Sequence, residues 1–98
     1  MITLPEELYT SELVDIMSVV DEKDEDITLS IIPSRYNPKT IAIVIIQFWF
    51  EKNTYYLKQF DYYNDVGNEI VSKKIKEILI NIKNYLDILG FKDITQDE

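Results

Sequence analysis

The residues best equipped for chemistry in this chain are carboxylates. Five of them fall within six positions, Asp21, Glu22, Asp24, Glu25 and Asp26, interrupted only by Lys23. Glu6, Glu7, Glu12 and Asp15 precede them. Carboxylates spread over one face can imitate a phosphate backbone, filling a basic groove and steering its owner from a distance. The same run also reads as a solvated loop kept charged for solubility, as most charge runs are. An EF-hand calcium loop does not fit, because the D-x-D-x-D-G pattern and the distal Glu are missing.

Two other constellations could carry catalysis. Asp61, Asp65 and Glu69 flank Gly67 and could share a proton or hold a metal. Helix capping by Asp65 or Asn68, with Glu69 favoured by the helix dipole, explains them without chemistry. Ser72 and Lys76 are one helical turn apart, the spacing of a Ser–Lys dyad, yet no strand–turn–helix elbow presents the hydroxyl. The chain has no His and no Cys, so the commonest general base, the thiolate nucleophile and thiolate metal sites are all absent. These facts point away from an enzyme, and no cofactor or metal is expected.

Aromatic residues form the third group: Phe48, Trp49, Phe50, Tyr55, Tyr56, Phe60, Tyr62 and Tyr63. On neighbouring strands such residues build core and cross-strand pairs. When exposed they anchor interfaces. Tyr55, Tyr62 and Tyr63, placed near strand ends, are the expected exposed members.

The elements that must position these groups follow from periodicity and turn chemistry. Thr3 and Glu6 suit a capping box, with Pro5 in the first turn, and Tyr9, Leu13, Ile16, Met17 and Val20 recur at helical spacing. A first helix is therefore expected, ending in the acidic linker 21–26. Ile27–Ile31 alternates as a half-buried strand. Pro33 through Pro38 reads as a loop. Thr40–Glu51 is apolar on both pleat faces, the mark of a central strand covered on both sides or facing a second copy. Lys52-Asn53 suits a tight hairpin, with Asn tolerating positive φ. Thr54–Tyr63 is the third strand, and 64–68 a break.

A long helix then spans Glu69–Leu89, with Val71, Ile75, Ile78, Ile82, Tyr85 and Leu89 as its apolar stripe, widened by Leu79 and Leu86. Gly90 is placed to close it, with Phe91 as the accompanying hydrophobic contact. Residues 93–98 should fray. The expected fold is α+β in the order α-β-β-β-α: a three-stranded antiparallel meander with the long C-terminal helix packed on one face. That order resembles double-stranded-RNA-binding domains. The charge opposes their function, since those domains need basic residues at the start of the last helix.

Ninety-eight residues make one domain, 1–98, large enough for a core of its own. Net charge is −8 and it is polarised: residues 1–34 hold nine acids and one base, whereas 35–98 hold nine of each. Such a field repels nucleic acid and anionic membranes and attracts basic surfaces. The N-terminus lacks a signal-peptide pattern, and the apolar run 41–50 is too short to span a bilayer, so a cytoplasmic location is expected.

The function read from the sequence is binding. The chain is expected to be a small acidic inhibitor that occupies the basic nucleic-acid groove of an enzyme, with its carboxylates and exposed tyrosines as the contact surface. In style it is similar to phage-encoded nucleic-acid mimics such as anti-CRISPR proteins and uracil-DNA glycosylase inhibitors. An immunity protein or antitoxin against a basic toxin would use the same electrostatics. An acidic chaperone acting as a homodimer would instead bind through apolar surface.

Overall fold

The computed structural model describes residues 2–12, 14–33, 44–61 and 69–95. A single 3-10 turn, Glu6–Leu8, opens the chain. Strands β1 (Val14–Asp21), β2 (Asp26–Pro33), β3 (Val44–Glu51) and β4 (Thr54–Asp61) follow, then helix α1 (Glu69–Ile88) and a short β5 (Lys92–Asp93). The five strands form one sheet in the order β1-β2-β3-β4-β5, antiparallel throughout except for the parallel β4–β5 pair.

The α+β class holds, but the order and the strand count differ from expectation. The predicted first helix is absent. Pro5 sits at the N-cap of the 3-10 turn without a side-chain hydrogen bond, so the capping box does not form. Residues 14–21 are instead a strand paired in unbroken register with β2, from Val14 opposite Pro33 to Asp21 opposite Asp26. The sequence Val14-Asp15-Ile16-Met17-Ser18-Val19-Val20 is rich in β-branched residues, which favour a pleated surface. A neighbouring strand reachable through a four-residue turn outweighs the helical spacing.

β3 is the central strand, as its apolar run requires. Its buried side chains are Val44, Ile46, Phe48 and Phe50, and Ile45, Gln47 and Trp49 on the other pleat face are half-buried. Opposite them in register lie Ile27, Leu29 and Ile31 of β2 and Tyr55 and Leu57 of β4. This face packs against Ile75, Ile78, Ile82 and Leu86 of α1 to make one core. The helix stripe thus closes on Leu86, whereas Leu89 is 48% exposed.

Gly90 adopts φ +92° and ends α1 in a Schellman motif: its N–H donates to the Asp87 carbonyl and the Phe91 N–H to that of Leu86. Phe91 then turns into the core, edge-on to Phe50 at 5.5 Å between ring centroids. The 52–53 hairpin turn forms, but Lys52 rather than Asn53 takes the positive φ, at +56°.

The tail is the second correction. Of the tail expected to fray, 93–98, residues 93–95 dock together with Lys92 beside the first half of β4, and 96–98 lie outside the described residues. The Lys92 N–H donates to the Asn53 carbonyl (2.8 Å), the Ile94 N–H to that of Tyr55 (2.9 Å), and the Leu57 N–H to the Thr95 hydroxyl (3.0 Å). Asp93 accepts from both the hydroxyl and the N–H of Thr95, and its carboxylate lies 3.7 Å from the Lys83 ammonium. Of the expected loop Pro33–Pro38, Pro33 instead ends β2 and 34–38 lie outside the described residues, as do the break 64–68, Tyr62 and Tyr63.

Candidate partner interface

The acidic run is the β1–β2 turn. Asp21 and Asp26 face each other across the last pair of the ladder, and Glu22–Glu25 make the turn between them. The Asp21 carboxylate accepts the N–H groups of Lys23 (3.0 Å) and Asp24 (3.2 Å), an Asx-type turn that fixes the tip. Glu25 takes φ +53°, and its carbonyl accepts the Phe50 N–H at 3.0 Å, tying the tip to β3. Carboxylate oxygens of Asp21, Asp24 and Asp26 lie within 4.8 Å of one another. Burial, with repulsion from Asp21 and Asp24 added, holds the Asp26 carboxyl above its ordinary pKa. The fold therefore gathers like charge at a fixed tip, where directly opposed like charges destabilise a ladder.

The remaining acids are not on one helix face, because that helix does not exist. Glu6 and Glu7 are exposed on the 3-10 turn, Glu12 is exposed just before β1, and Asp15 is exposed near the start of β1. Asp15 and Asp21 are six strand positions apart, roughly 20 Å. The structure nevertheless brings Glu6 and Asp15 together. Both line a recess of about 410 Å³ with Tyr9, Thr10, Ser11, Ile16, Met17 and Ser18. Side chains alternate across a strand, so a recess touching four consecutive residues of β1 runs along its edge rather than over one face.

β1 is an edge strand of the sheet. Met17 and Val19 project from the sheet face opposite α1 and are 58% and 57% exposed; Val20, on the helix side, is 41% exposed. Sequence reasoning missed this surface because it placed these residues in a helix. The β-branched content of 14–20 was the available signal. The face away from α1 continues with Ile45, Trp49 and Tyr56, whose rings pair at 5.3 Å, and with Phe60 beneath the Lys58 ammonium. The first helix expected to cover that face does not form, since residues 14–21 are β1 itself.

Tyr55 is corrected from surface to core. It is 3% exposed, because the pleat turns it toward Phe48 and Phe50, each about 6.3 Å away between ring centroids. Burial, with Asp93 and Asp87 nearby, pushes its phenol up to about 12. Of the catalytic candidates, Ser72, Lys76 and Asp61 line a recess of about 280 Å³, but Asp61 accepts from the Gln59 amide at 2.8 Å and Lys76 is exposed to water. No described helix is long and apolar enough to cross a membrane. The chain matches no protein-family model, no curated protein and no solved structure.

Proposed function

We propose that this chain is an acidic binding protein whose β1–β2 hairpin engages a basic surface on another protein, as an inhibitor that competes with nucleic acid for a groove. The observation that carries the reading is the hairpin tip, with Asp21, Glu22, Asp24, Glu25 and Asp26 on a turn held by the Asp21 carboxylate and the Glu25 carbonyl. Fixed like charges repel one another, and a cationic partner relieves that repulsion while binding. A fixed array also loses little entropy on association. The net charge of −8 speeds encounter with a basic groove and disfavours direct contact with nucleic acid. An immunity protein or antitoxin facing a basic toxin is served by the same surface.

The test compares capture from lysate of the source cell by the native chain and by the variant D21N/E22Q/D24N/E25Q/D26N. A nucleic-acid enzyme that the native chain holds at low salt, releases at high salt or to competing DNA, and that the variant fails to hold, supports the reading. Equal capture by both proteins overturns it. One further observation favours a second reading: exposed Met17, Val19 and Val20 give an apolar strip suited to the dimeric chaperone. That reading expects partners retained in high salt and indifferent to the five substitutions.

A further inference from the structure

We infer that the outer edge of β1 binds an extended segment of the partner by strand addition, and that the segment places basic residues six positions apart around two apolar ones. This rests on the reading above and names how the partner is gripped. Natural sheet edges are blunted by Lys, Pro, bulges or shortness. β1 is eight residues long, with no base, no proline and a register with β2 that runs without a bulge. Its charged side chains, Asp15 and Asp21, are the blunting device it carries, and basic residues in the added strand neutralise them.

Its side chains then state what fits. Asp15, Met17, Val19 and Asp21 share the pleat face opposite the core, giving the order acid, apolar, apolar, acid at every second residue. A strand laid alongside sets its own alternate side chains against these four. The complementary order is base, apolar, apolar, base, and because it reads the same in both directions it suits a parallel or an antiparallel segment. The recess formed by Glu6, Tyr9 and Thr10 with residues 15–18 lies along that same edge and adds a carboxylate beside Asp15.

A second copy of this chain is the poorer occupant. β1 carries no base, so no register of two copies gives either Asp a partner charge. Centred on Ser18, the two-fold arrangement sets Asp15 opposite Asp21 twice. Backbone hydrogen bonds supply affinity in strand addition and alternate side chains supply specificity.

The test uses the full chain and three seven-residue peptides. The first alternates lysine, threonine, valine, threonine, valine, threonine, lysine. The second has the same composition with both lysines adjacent, and the third is the first N-methylated at its five internal residues. Binding is followed by calorimetry and by amide exchange of residues 14–21. Expected are binding of the first peptide, at least tenfold weaker binding of the other two, and slowed exchange confined to alternate β1 amides. The variant M17K/V19K, changed only at exposed positions and checked for unaltered helix and sheet signal, should lose at least tenfold for the first peptide. Equal binding of all three peptides means charge alone acts and overturns strand addition, while leaving the hairpin reading to its own capture experiment. Failure of the first peptide to bind, or a dimer that M17K/V19K dissolves, overturns it as well.

Discussion

At the scale of the residue, three of the described side chains bear on pH behaviour. Asp26 sits above its ordinary carboxylate pKa through burial and then the charges of Asp21 and Asp24. The folded chain holds that proton more tightly than the unfolded chain. The stability this gives is fully present below the ordinary value and is lost as pH rises through the raised one. Asp26→Asn should therefore raise the urea midpoint near neutral pH and change it little in mild acid; an equal gain at both would remove Asp26 as the cause.

Asp93 behaves in the opposite sense. Burial pushes it up, but the Thr95 hydrogen bonds and the Lys83 ammonium outweigh that and hold it below the ordinary value. Its contribution is present above the ordinary value and disappears as pH falls through the lowered one. Tyr55, raised to about 12 from 10.0, loses stability for the fold as pH climbs between those values. Tyr55→Phe should flatten the alkaline limb of a stability–pH curve.

At the scale of the element, the core and the two chain reversals decide stability. Phe48→Ala should cost about 3–5 kcal/mol, because its ring is fully buried at the centre of β3. Ile45→Ala should cost clearly less than Ile46→Ala, since Ile45 is half-buried on the face away from α1 and Ile46 is wholly enclosed. Chemical denaturation of the pair checks this. Gly90→Ala should cost about 1–2 kcal/mol from backbone strain alone, because the added Cβ would meet nothing within 4 Å. Thr95→Val removes the acceptor of the half-buried Leu57 N–H, which should cost about 1–3 kcal/mol and speed exchange at Leu57.

The same elements show what the sequence disclosed. The central strand, the 52–53 turn and α1 were legible because their signals are local: a two-faced apolar run, a two-residue loop between strands, and a 3-4 spacing closed by Gly90. β1 was not, because Tyr9, Leu13, Ile16 and Val20 satisfy a helical period while strand formation depends on the partner Asp26–Pro33. The acidic run was legible as charge but not as a turn, since four residues between paired strands carried no Gly signal. Glu25 takes the left-handed conformation there instead. β5 was hidden for another reason: two residues have no period, and the bonds that dock them come from Asn53, Tyr55 and Leu57 far upstream.

At the scale of the whole molecule, charge and sheet geometry act together. Roughly half of the acids lie in the first third of the chain, and the fold collects five of them at one hairpin tip. Long-range attraction of a basic partner should fade as the Debye length shortens to about 8 Å at physiological ionic strength. Stopped-flow association rates measured against salt should fall steeply for the native chain and shallowly for the tip variant.

The docked tail has a consequence of a different kind. By bonding to Asn53, Tyr55 and Leu57, residues 92–95 occupy the first half of the β4 rim, whereas no described strand pairs with β1 on its outer side. In the language of polymer chemistry the docked tail is a chain stopper for that half of β4: the backbone groups it bonds are taken, which disfavours growth of a second sheet through them.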